Sequence, residues 1–113
     1  MIKLKAKSKK EGGRYMANKG ILDKVRYLLL TAKNNNCSGE TLEKIREYTN
    51  QHTDDYVLGR VFGYSVSDYA FATLKWLNTR ESLNIFDDLI HPISEPRKRE
   101  IEELVSKKLY LEM

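Results

Sequence analysis

The chain has little of what usually holds or addresses a small protein by covalent means. It contains one cysteine, Cys37, so an internal disulfide is excluded and nothing points to an oxidising compartment. A cytoplasmic protein is the expectation. The first ten residues, MIKLKAKSKK, are basic, but EGGRYMANKG follows them in place of an apolar run, so no secretory signal is expected. The most apolar window, Tyr56 to Leu77, is long enough to span a bilayer yet carries Arg60, Asp68 and Lys75. Each of these costs roughly 2.5 to 3.5 kcal/mol near the centre of a membrane helix, which argues against membrane insertion.

Chemistry is equally sparse. No phosphate-binding loop and no GxGxxG motif occurs. His52 stands near Asp54 and Asp55, and His91 near Asp87 and Asp88, but neither comes with a nucleophile that a general base could activate. His52, His91 and Cys37 lack the close spacing of metal ligands. The sequence therefore predicts no enzyme, no metal and no cofactor.

What the chain does have is charge and helical periodicity. It is 113 residues long, 41% hydrophobic and 32% charged, with a net charge of +4. That length fits one domain. Lys3, Lys5, Lys7, Lys9, Lys10 and Arg14 oppose only Glu11 within residues 1–15, a local charge of +5. The remaining 14 basic and 15 acidic residues leave the body at −1. A basic arm over residues 1–15 and a helical domain over residues 16–113 are the expected division, with Gly12 and Gly13 as the hinge.

Ile21, Leu22, Val25, Leu28, Leu29 and Ala32 form one apolar face of a 3.6-residue period, so a helix is expected from Asn18 to Lys33. Asn34, Asn35 and Asn36 end it. Ser38 is placed to cap a second helix with Leu42, Ile45 and Tyr48 inward. Thr53, before Asp54 and Asp55, is placed to open a third. Asn84 is expected to cap a short helix from Ile85 to Ile90, closed at His91-Pro92. Ser94 and Pro96 open the last, with Ile101, Leu104 and Val105 inward. Both ends alternate apolar and polar residues, Ile2 to Lys9 and Leu109 to Met113, which leaves room for a short terminal β-strand pair. The expected fold is all-α: a single small domain of about five helices.

The stretch LGRVFGYSVSDYAFATLKWL, Leu58 to Leu77, has Gly59, a second glycine four residues on at Gly63, and Tyr69 where a second helix would anchor. It resembles the helix-turn-helix units of bacterial regulators. The resemblance implies Leu58 and Phe62 inward on a first helix, and Ser65 to Asp68, Ala72 and Lys75 facing DNA. On that reading the nucleic-acid-binding residues are Ser65, Ser67 and Lys75, helped by Lys3, Lys5, Lys7, Lys9, Lys10 and Arg14 of the arm, whose charges suit phosphates or an anionic lipid surface. The alternative is a helical-bundle regulator that binds a protein, of inhibitor, immunity or adaptor type, using Tyr15, Tyr27, Tyr48, Tyr64 or Tyr110 at its interface.

Overall fold

The computed structural model describes the backbone of residues 8–52 and 59–113, and the side chains of residues 20–52 and 59–113. The described residues are mostly helical, with five α-helices and one two-stranded antiparallel sheet among them. Helix α1 is Ser8–Lys33 and α2 is Gly39–Tyr48; strands β1, Arg60–Val61, and β2, Tyr64–Ser65, follow. Then come α3, Val66–Leu77, α4, Arg80–Ile90, α5, Glu95–Lys107, and a 3-10 turn at Leu109–Glu112.

The core is built around α3. Ten of its twelve residues are buried, and it packs against α1, α2, α4 and α5. A helix buried on all sides needs apolar or small residues on every face, and YAFATL supplies them. Val25, Leu28, Leu29 and Ala32 of α1, Leu42 and Ile45 of α2, and Ile101 and Leu104 of α5 complete the core. Phe71 meets Phe86 of α4 edge to face at 5.7 Å. Trp76 donates from Nε1 to the Val105 carbonyl at 2.9 Å, fixing α3 to α5.

Caps set the helix boundaries. The Ser38 Oγ accepts from Thr41 N, and the Ser94 Oγ from Arg97 N, as their positions predict. Asn78, at φ 54°, ends α3 in the left-handed conformation. Thr79 then starts α4 through a reciprocal capping box with Ser82. This places the start of α4 ahead of Asn84, because the Thr79 hydroxyl accepts from the free N–H of Ser82 in the first turn.

Two other expectations change. The chain end from Leu109 forms a 3-10 turn, not a strand, and the Lys33 Nζ donates to the Met113 carbonyl. The sheet instead lies directly before α3, where Arg60 pairs with Ser65 and Val61 with Tyr64. Residues 60–65 are therefore a hairpin and not part of a first recognition-unit helix. The expected helix start at Thr53, and Leu58, lie outside the described residues, as do Lys3, Lys5 and Lys7. The backbone of α1 runs through Gly12 and Gly13.

Candidate functional site

Ser65 ends β2 and caps α3, so the hairpin and the central helix share one residue. The Ser65 Oγ accepts from Asp68 N at 3.2 Å, while Asp68 Oδ2 accepts from Ser65 N at 3.1 Å. This capping box lies wholly in the interior: Ser65, Ser67 and Asp68 each have no exposed surface. A buried carboxylate needs a paired charge. Arg97 of α5 supplies it, donating from Nη2 to Asp68 Oδ1 at 3.1 Å and to the Ser67 Oγ at 2.8 Å. Ser67 in turn donates to the Thr49 carbonyl, and its N–H bonds the Gln51 carbonyl. The head of α3 is thus clamped between the end of α2 and the start of α5.

This geometry corrects the surface expected from the resemblance. Ser65, Ser67, Asp68 and Ala72 are interior residues; Ser67 meets the Thr49 carbonyl and Arg97, Asp68 meets Arg97, and none of the four side chains faces solvent. Lys75 alone of that set is exposed, and its Nζ sits 4.8 Å over the ring of Phe86. Lys9, Lys10 and Arg14 belong to the backbone of α1, and their side chains lie outside the description. Of the candidate tyrosines Tyr64 is buried, and Tyr27, Tyr48 and Tyr110 are half-buried against the core. Tyr27 and Tyr48 pack edge to face, Tyr64 is buried against Tyr69, and Tyr110 leans on Trp76. Tyr15 has no described side chain.

His52 approaches Ser65, with Nδ1 3.4 Å from Oγ. The hydroxyl is buried and already committed to the cap, so the pair offers no accessible nucleophile. His91, the C-terminal cap of α4, is exposed. Cys37 Sγ lies 3.0 Å from the Thr79 Oγ1. No group of three or more His, Cys, Asp or Glu side chains among the described residues could hold a metal ion. No described helix is long and apolar enough to cross a membrane.

The exposed feature that stands out is the tip of the hairpin. Its two-residue turn is Phe62-Gly63, with φ of 55° and 90°. Positive φ at both central residues is what a type I′ turn requires, and the right-handed twist of the strands selects that turn. Gly63 adopts it freely, and Phe62 does not. The turn is fixed from below. Arg60 reaches across it from Nη1 to the Gly63 carbonyl at 2.8 Å and to Glu100 of α5 at 3.5 Å. Tyr69 donates its hydroxyl to the Val61 carbonyl at 2.8 Å. Burial pushes the Tyr69 phenol well above its ordinary value, with smaller contributions from Tyr64 and Asp68, so it is held as a neutral donor. Burial is also the main cause raising the Tyr64 phenol, partly offset by Lys107, whose Nζ lies 5.1 Å over its ring.

Phe62 is 83% exposed. Beside it, Leu22, Val25 and Leu29 of α1, Val61 and Met113 line an open apolar groove of about 130 Å³, with Arg26 at its edge. Leu22 and Met113 are themselves exposed. The helix-turn-helix resemblance placed Phe62 on a helix, and Phe-Gly lacks the Asn-Gly signature that would have marked a tight hairpin instead. The available signal was Gly63 between Val61 and Tyr64, two residues of high strand preference. No family model matches this chain, and no curated protein and no solved structure is similar to it.

Proposed function

We propose that this chain is a non-catalytic regulatory protein that docks another polypeptide through Phe62 and the apolar groove beside it. The observation that carries the reading is Phe62 itself, 83% exposed at φ 55°. A left-handed conformation costs an L-residue with a side chain roughly 1 to 2 kcal/mol. Leaving an aromatic ring in water forgoes a further ~1.5 to 3 kcal/mol of burial. Asn or Gly at the same place would avoid both. A bulky residue in a strained turn, pinned from below by Arg60 and Tyr69, is the kind of outlier that supports a contact role. Aromatic anchors beside apolar grooves dominate protein interfaces.

The test uses a photoreactive benzoylphenylalanine at position 62 of the full chain, expressed in its source cells. The expected result is a discrete set of polypeptide adducts that is absent when the same probe replaces the exposed Arg99. Absence of any adduct at position 62, together with a band shift of random duplex DNA by the full chain at low salt, would overturn the reading in favour of nucleic acid.

A further inference from the structure

One of the ties beneath the Phe62 turn leads back into the interior. Each strand of the hairpin is two residues long, and a two-stranded hairpin is marginal by itself. Its turn also places Phe62 at a φ that a residue with a side chain disfavours. Contacts outside the hairpin must therefore hold it. We infer that Arg60 positions Phe62 for docking by tying the turn to α5, so that the placement of α5 sets how the ring is presented; this rests on the docking role proposed above. Three observations carry it. The first is burial: the Arg60 side chain is 4% exposed, and a buried charge persists only where polar partners meet it. The second is reach. Arg60 Nη1 donates to the Gly63 carbonyl at 2.8 Å and lies 3.5 Å from Glu100 Oε2. Charge-assisted bonds are among the stronger kind, so this one holds the peptide that follows Gly63 while the same guanidinium faces α5.

The third is a closed circuit of contacts. Arg60 pairs with Ser65 across the hairpin, and Ser65 caps α3 reciprocally with Asp68. Asp68 accepts from Arg97 of α5. Arg97 and Glu100 stand three residues apart on α5, so they share one face of that helix. Glu100 then returns to Arg60. A contiguous set of contacts of this kind carries coupling between distant points. A shift of α5 displaces Arg97 and Glu100 together, and with them the head of α3 and the foot of the hairpin. The surface anchor and the interior clamp thus move as one unit.

Amide hydrogen exchange and the position-62 photoprobe, both in the full chain, test this with R60M and E100Q. R60M keeps an unbranched side chain and removes the guanidinium. E100Q keeps the shape of a side chain that is 35% exposed, so it remains a folded test if R60M does not fold. Exchange is read at Val61 and Tyr64, the pair next to the turn, relative to Leu74, buried in α3. A fold-wide loss of stability speeds Leu74 as well, so the ratio isolates the turn. R60M is expected to raise that ratio about tenfold, as loss of a hydrogen bond to a charged group does. E100Q is expected to raise it about threefold, the scale of a half-exposed ion pair. Adduct yield at position 62 is expected to fall by about half or more in R60M, because binding weakens with the fraction of chains that keep the competent turn. A ratio unchanged in either variant overturns the inference, as does a faster-exchanging turn in R60M that still gives the wild-type yield. A wild type without adducts overturns the docking role; the tie to α5 then stands or falls by the exchange ratio alone.

Discussion

Replacing Asp68 by Ala removes the only described partner of opposite charge that Arg97 has in the interior. Asp68 is fully buried, and the Arg97 side chain is 17% exposed. In D68A the guanidinium keeps the Ser67 Oγ but loses its carboxylate, while its Nε already has no hydrogen-bond partner among the described residues. Breaking a buried ion pair from one side costs about 3 to 5 kcal/mol. The capping bond to Ser65 N is lost as well, itself about 1 kcal/mol. A domain of this size has a total stability on the order of 5 to 15 kcal/mol, so D68A leaves the chain marginal or unfolded. R97M strands the carboxylate and is expected to cost as much. The double variant D68N/R97M removes both charges and keeps an oxygen for Ser65 N, so it is expected within about 2 kcal/mol of wild type. Urea unfolding followed by Trp76 fluorescence measures all three. At a typical slope of about 2 kcal/mol per molar urea, each single variant shifts the midpoint by about 2 M. A D68A loss below about 1 kcal/mol, or a double variant as damaged as the two singles combined, would refute the clamp.

Other outcomes follow from the same residues. Tyr69 and Tyr64 have phenols raised in the folded state, so the native chain holds protons that the unfolded chain releases near pH 10. Their contribution is intact below pH 10 and is lost as pH rises above it, by up to about 1.4 kcal/mol per pH unit for the more deeply buried Tyr69. Alkaline denaturation midpoints should fall from pH 10 upward, and Y69F, which lacks one of the titrating groups, should fall less steeply while losing about 1 kcal/mol at neutral pH with its bond to Val61. G63A puts a side chain at φ 90° and should destabilise by roughly 1 to 2 kcal/mol in the same urea assay, although open space surrounds the new methyl group. L104A opens a hole in the centre of the core and should cost about 2 to 5 kcal/mol.

The helices were legible in the sequence where one physical signal dominated. The hydroxyl caps Ser38 and Ser94 and the prolines flanking the turn before α5 act locally, and the structure places them as read; of the apolar stripe of α1, Val25, Leu28, Leu29 and Ala32 are buried, while Leu22 is exposed. The core role of the stretch ending at Leu77 was legible for the same reason, since YAFATL has no polar face to offer solvent. Long-range pairing was not. Ser67 and Asp68 look like surface residues by type, and only Arg97, about thirty residues later, makes their burial possible. The hairpin was hidden because its turn uses Phe62, a residue that the turn geometry disfavours. The candidate site therefore lay where local rules fail, as functional positions tend to do.

The most direct test of the role given to Phe62 is the melting temperature of F62N against that of the wild type in dilute solution. Relief of turn strain, about 1 kcal/mol, should make F62N melt about 4 °C higher in dilute solution. An F62N protein that melts at or below the wild type when dilute would mean that Phe62 serves the fold.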